Sequence, residues 1–247
     1  MKIIAVAGTA SRVGKTTVAS YILSSLSSGT FSLKGKTEKY ERVFQYAGGT
    51  SDETIENSPE LFHDKSPWSA LKITIRHEGS CPRHTECDTC DDGYEPFKIL
   101  TSDEIIREKG KDTDRLSTAG ASEVVWLQSD SDVEEVGIEA ALACFDQEHN
   151  LVIEGNSFLR VHDADVAVLV VSPSVKKIKR SAKILLNKID FIVINVHKRH
   201  TSKEIEECKG EMLALGYDVP FYVVNPYSEE DYSNQAFIDR IQDMLFK

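Results

Sequence analysis

Seven short runs rich in Val and Ile set the limits on what this chain can fold into: 2–7 (KIIAVA), 72–76 (KITIR), 123–128 (EVVWLQ), 151–155 (LVIEG), 166–172 (VAVLVVS), 191–195 (FIVIN) and 220–225 (PFYVVN). Their length and β-branched content read as strands buried on both faces. Between most of them lie stretches of helical period, at 15–28, 132–147, 175–188, 202–215 and 233–246. Strand alternating with helix requires crossover connections, which are right-handed and give a parallel pairing. The expected fold is therefore α/β, a mostly parallel central sheet flanked by helices, in one domain spanning 1–247. Two segments break the rhythm. Residues 29–68 are polar and far too long for an ordinary link, so they read as an insertion or mobile loop. Residues 77–96 gather three cysteines and have no strand pattern.

Charge and composition exclude several classes. The net charge is −11 and the pI is near 5.2, which disfavours nucleic acid and anionic lipid as partners, since both need a basic face. No run approaches the roughly 20 apolar residues of a membrane span. The opening run is short and lacks a small-residue cleavage site, so it reads as a strand and not a signal peptide. Five cysteines, an odd number, argue against a disulfide framework. The expectation is a soluble cytoplasmic protein.

The first strand runs into GTASRVGKTT, residues 8–17, and then into a good helix former, KTTVASYILSSL. Strand, glycine-bearing turn and helix N-terminus together make a phosphate cradle, because free backbone N–H groups point at the anion. Candidate nucleotide contacts are Gly8, Thr9, Arg12, Val13, Gly14, Lys15, Thr16 and Thr17. Lys15 would meet the β/γ oxygens, Thr16 would ligate Mg²⁺, and Thr17 would hold an α-phosphate oxygen. The usual loop leaves four residues between its first glycine and Gly-Lys-Thr; here there are five.

Glu154 ends the strand LVIEG, where a carboxylate would hold Mg²⁺ or orient an attacking water. Asn156 and Ser157 follow it and are candidates to touch the same ligand. Asp112 reads as a helix cap after a turn at Gly110, either in a surface pair with Arg115 or close to Mg²⁺ while Arg115 takes an anion. Lys15, Glu154 and Asp112 are the candidate catalytic residues. For the base, Asn195 and Asn225 end strands on the ligand side, and an Asn amide can both accept and donate. The guanine-reading pattern NKID at 187–190 precedes a strand instead of following one, which puts it at the wrong edge of the sheet. In the cysteine-bearing segment, Cys81, Cys87 and Cys90 with His84 make a tetrahedral donor set for Zn²⁺, with an iron–sulfur cluster as the second reading and three plain thiols as the third.

Two resemblances follow from these motifs. GTASRVGKT is similar to the loop of dethiobiotin synthetases and cobyrinic acid diamide synthases, which implies ATP-dependent ligation. Ala10 stands where the related partition ATPases carry a second lysine, so their sandwich-dimer mechanism is not expected, although a homodimer is compatible. The segment GKDTDRLSTAGASEVVWL (110–127) resembles the molybdopterin-guanine dinucleotide biosynthesis protein B family through Lys111, Asp112, Thr113, Arg115, Ala119, Gly120 and Ala121. ITIRH (73–77) and LVIEG resemble two strands of that family. The resemblance covers about half the chain. It implies a P-loop NTPase fold, GTP in preference to ATP, and a partner that is molybdopterin or a protein of molybdenum-cofactor assembly. Beside the GTPase and synthetase readings, a non-hydrolysing, nucleotide-gated adaptor or metallochaperone is the third that these motifs allow.

Overall fold

A computed structural model describes residues 1–27, 67–76, 95–197, 200–228 and 232–246. In chain order the elements are β1 (Ile3–Gly8), α1 (Lys15–Ser27), β2 (Trp68–Arg76), β3 (Phe97–Leu100), α2 (Asp103–Ile106), α3 (Asp112–Thr118), β4 (Val124–Asp130), α4 (Glu134–Leu142), β5 (Asn150–Glu154), α5 (Phe158–Val161), β6 (Val166–Val171), α6 (Arg180–Lys183), β7 (Phe191–Asn195), α7 (Ser202–Ala214), β8 (Phe221–Val224) and α8 (Tyr232–Leu245). The eight strands form one sheet in the order β3-β4-β2-β5-β1-β6-β7-β8. All neighbours are parallel except β3 on β4.

Alternation along the strands builds two cores. Ala5 and Ala7 of β1 face one layer with Ile153, Leu169 and Ile192, covered by α4, α5 and α7 through Ile138, Phe158 and Met212. Ile4 and Val6 face the other with Val152, Val168 and Phe191, covered by α1, α3 and α8 through Ile22, Leu116 and Phe237. Each such fully buried aliphatic or aromatic side chain contributes about 1.5–3 kcal/mol. Among the described residues no helix is long and apolar enough to cross a membrane.

Topology decides where a ligand can sit. β5 inserts between β2 and β1, and the chain then passes to the far side of β1 to form β6. The winding therefore reverses about β1, and the crevice at the carboxyl ends of β1, β5 and β6 lies open.

Four expectations need correction. The short strand β3, an antiparallel edge, has no counterpart among the predicted runs: its four residues pair only with β4. The helix expected over 175–188 is one turn, α6, followed by a 3-10 turn at Leu186–Lys188. Its first half is spent elsewhere, since the Lys179 N–H donates to the Thr9 carbonyl at 2.8 Å. The helix expected over 132–147 is shorter, ending at Leu142, because Cys144 and Phe145 bond back in tight three-residue turns. Asp112 does not cap α3; Lys111 holds that place, and Asp112 is the first helical residue with its carboxylate turned elsewhere. The NKID motif sits where its sequence context predicted: the Asp190 carboxylate accepts from the Ala167 N–H at 2.7 Å, beside the start of β6 and away from the crevice. Cys81, His84, Cys87 and Cys90, and most of 29–68, lie outside the described residues.

Candidate functional site

The turn after β1 is held from three sides. The Thr9 N–H donates to Val170 of β6 at 3.1 Å, and Thr9 itself is buried. Asn156, two residues past β5, accepts from the Gly8 N–H at 2.9 Å and returns a bond to the Gly8 carbonyl at 3.0 Å. Asn195 at the end of β7 donates to the Val13 carbonyl at 2.9 Å. The two glycines cannot be replaced cheaply. A Cβ on Gly8 would lie 2.7 Å from Lys15 Cγ, and one on Gly14, at φ +93°, would overlap the Asn195 amide nitrogen. Within the loop Arg12 adopts a left-handed φ of +64° and is exposed.

The helix that follows carries no acidic residue of its own in its first turn. Lys15 leans back over the turn, its ammonium donating to the Ala10 carbonyl at 3.1 Å. Burial lowers its pKa, with the nearby Lys72 and Lys179 charges acting the same way and Glu154 opposing them.

A charged network runs from β5 through α1 to α3. The Thr16 hydroxyl donates to Glu154 Oε2 at 2.8 Å. Glu154 Oε1 takes the Lys72 ammonium at 2.6 Å, and Lys72 also reaches Asp112 Oδ2 at 2.8 Å. Arg115, one turn along α3, donates to the Thr17 hydroxyl at 2.7 Å. Side-chain exposure is 2% at Glu154, 13% at Lys72 and 49% at Asp112, so the central pair is desolvated and Asp112 stands at the rim. Burial alone would depress the Lys72 pKa, yet the two carboxylates raise it. Burial would raise Asp112, yet Lys72, the Thr16 hydroxyl and Arg115 hold it below the usual carboxylate range. The donors gathered here are a hydroxyl and two carboxylates, all hard oxygens, which fit Mg²⁺. Thr16, Glu154 and Asp112 are thus the residues that could hold it.

Lys72 belongs to no motif in the sequence. Its signal was a lone charge inside an otherwise apolar run, ALKITI, in a strand buried on both faces. Lys179, which donates to the Ser11 hydroxyl at 2.9 Å, belongs to none either. These side chains, with Arg12, Lys15, Arg115 and Arg160, give the crevice a cationic lining in a chain whose overall charge is −11. The cavity they line holds about 700 Å³.

The other end of the crevice is neutral. Asn195 is buried, and its amide nitrogen is committed to Val13, which fixes the amide's orientation. Its Oδ1 has no partner among the described residues, and the Val13 bond uses one of the two amide hydrogens, so Asn195 keeps both an acceptor and a donor. Asn225 folds on itself: its Oδ1 accepts from the Tyr227 N–H at 3.3 Å, while its backbone N–H and carbonyl are both bonded to the Asn234 amide. His197 and Tyr227 lay exposed rings beside one another at this rim, 5.4 Å between centroids and 33° between planes.

A strand, a glycine-bearing turn, a helix opening on Lys-Thr-Thr, and a strand-end carboxylate bonded to that first threonine now stand together. The fold is of the P-loop NTPase type.

No protein-family model matches the sequence, and no curated protein sequence does. Among solved structures the chain is similar to a LAO/AO transport system kinase, at 12% identity and a TM-score of 0.49, covering 99% of this chain and 59% of that one. It is also similar to a plasmid partition protein from Borrelia burgdorferi, at 12% identity and a TM-score of 0.44, covering 98% of each chain. A nucleotide-binding protein from Archaeoglobus fulgidus in complex with ADP matches at 11% identity and a TM-score of 0.35, covering 100% of this chain and 88% of that one. Likenesses this distant assign no activity to the chain.

Proposed function

We propose that this chain binds a Mg²⁺-nucleoside triphosphate at the turn after β1 and acts on its terminal phosphate, GTP being favoured. The observation that carries the reading is the Thr16–Glu154 bond of 2.8 Å, which ties the helix-opening hydroxyl to the strand-end carboxylate beside Lys15. Those are the groups that phosphoryl transfer requires in one place: a hydroxyl and a carboxylate for the metal, and an ammonium for the phosphate oxygens. Lys15 would leave the Ala10 carbonyl for the β/γ oxygens, while the amides of the turn and of α1 take the rest of the anion. Mg²⁺ bound by Thr16, Glu154 and Asp112 would neutralise charge on the terminal phosphate. Glu154 would orient a water there, and Arg115 would guard the α-phosphate side through Thr17.

The preference for GTP, and a role in attaching a nucleotide to molybdopterin, rest on the resemblance of 110–127 described above. The Asn195 acceptor suits the amino group of either purine, and the His197–Tyr227 face suits either ring. Zinc at Cys81, His84, Cys87 and Cys90 is likewise a proposal from sequence, checked by metal emission on untagged protein; below about a tenth of an equivalent it is withdrawn.

A second reading has a specific observation in its favour. The cavity continues past Lys72 along Thr74 and Ile75 of β2 and reaches Arg160, beside the place where the terminal phosphate would lie. That wall could seat an anionic acceptor, as a synthetase activating a carboxylate with ATP would need. Calorimetric titration of GTP against ATP, each with Mg²⁺, separates the readings. Tighter binding of GTP with turnover in its absence of any acceptor supports the first; tighter ATP binding with acceptor-dependent turnover supports the second.

A further inference from the structure

We propose that Lys72 is a resident counter-cation: its ammonium holds the divalent-metal position of the nucleotide-free site and must leave before metal can enter. The inference rests on the reading of Thr16, Glu154 and Asp112 as the metal's donors.

Register puts the lysine there. Lys72 lies directly across from Glu154 in the β2–β5 ladder, so its stem rises beside that carboxylate at the carboxyl end of the sheet. The ammonium then meets two acids from two different elements, Glu154 Oε1 at 2.6 Å and Asp112 Oδ2 at 2.8 Å. Glu154 takes the Thr16 hydroxyl on its other oxygen, at 2.8 Å. A lysine serving only to neutralise a strand-end acid needs one partner. This one contacts both carboxylates that a metal would use, and its charge lets the buried Glu154 and the rim carboxylate of Asp112 stand together.

An ammonium and Mg²⁺ cannot both use these oxygens. Mg²⁺ demands near-octahedral coordination at about 2.0–2.1 Å, closer than any ammonium contact, and two cations at that spacing repel. A free metal ion must therefore evict Lys72 with nothing offered in exchange. A nucleotide offers its phosphates, because Lys72 lines the same cavity as Lys15 and the turn. A flexible four-carbon stem lets the ammonium change partners without moving the strand. Metal and nucleotide are thereby made to arrive together.

The test uses Mn²⁺ as the probe, measured by electron paramagnetic resonance on the full nucleotide-free chain. Replacing Lys72→Met keeps the stem's bulk and removes the charge. The variant should bind Mn²⁺ at least about tenfold more tightly than wild type, since the competing cation is gone. That gain should vanish when Glu154→Gln is added. Equal or weaker Mn²⁺ affinity in a folded Lys72→Met variant, or a gain that survives the second substitution, overturns the proposal. If Lys72→Met does not fold, ¹⁵N-lysine ammonium spectra of the wild type decide. The Lys72 signal, assigned by its loss in Lys72→Arg, should shift with Mg²⁺ and a non-hydrolysable nucleotide together and stay put with Mg²⁺ alone. A signal that holds still under both, or that moves with Mg²⁺ alone, overturns the proposal. The Mn²⁺ measurement contains no nucleotide, so failure of the nucleotide reading is seen separately, as absent binding heat with GTP and ATP.

Discussion

At the β2–β5 end of the crevice, side chains of opposite charge hold one another: Lys72 between Glu154 and Asp112, with Thr16 on Glu154. At the β7–β8 end, three asparagines hold backbone: Asn195 on Val13, and Asn225 with Asn234 on their own turn. The first arrangement can exchange partners when an ion or an anion enters, because ammonium and carboxylate each keep valences a ligand can use. The second has its amides pinned to backbone, each held in one orientation. A phosphate end that responds and a base end that only frames are what the contrast predicts, and substitution at each end can break or sharpen it.

The largest effect is expected at Glu154. Glu154→Ala leaves the desolvated Lys72 with only the rim carboxylate of Asp112, and breaking a buried pair costs about 3 kcal/mol. Thermal unfolding should drop by roughly 10 °C for a chain this size, and Mg²⁺ should no longer strengthen nucleotide binding. Next is Lys15→Ala. Among the described residues its ammonium bonds only the Ala10 carbonyl, so stability should hold while triphosphate affinity, read by calorimetry, falls by about a hundredfold or more. Nucleotide bound as tightly as by wild type would end the phosphate reading.

Gly14→Ala should cost about 2 kcal/mol, through the left-handed φ and the overlap with the Asn195 amide. Pairing it with Asn195→Ala removes the overlap but not the strained φ, so the double variant should be more stable than the sum of the singles, by roughly 1 kcal/mol in denaturant unfolding. Asn195→Ala alone should cost about 1 kcal/mol of stability through the lost bond to Val13, and it should weaken GTP and ATP alike. A loss confined to one nucleotide would show that the framing end reads the base after all. The smallest effect is chemical. Burial pushes the Cys208 thiol up to about 11, so peptide mapping after alkylation at pH 8 should find Cys208 largely unmodified while the exposed Cys144 reacts.

The parts of the site that were legible beforehand are those fixed by local spacing. The turn at 8–17 announces itself because strand, glycines and helix start are contiguous, and Glu154 because it closes an apolar run. What stayed hidden depends on pairings far apart in the chain. Lys72 acquires its role only through its register with a residue 82 positions away. Asn195 was recognisable as a ligand-side strand end, but its commitment to Val13, 182 positions earlier, was not. The segment 175–188 has helical period, yet the Lys179 amide is claimed by Thr9, a competition no local pattern encodes. β3 is four residues long at an edge, below the length at which alternation can be told from chance.

Asn156 mimics a strand neighbour for Gly8, taking its N–H and returning a donor to its carbonyl. It sits two residues beyond Glu154, with one glycine between them. Were a cation to draw the carboxylate inward, the clasp on the first amide of the turn would be the next group along the chain to feel it, since only Gly155 lies between Glu154 and Asn156.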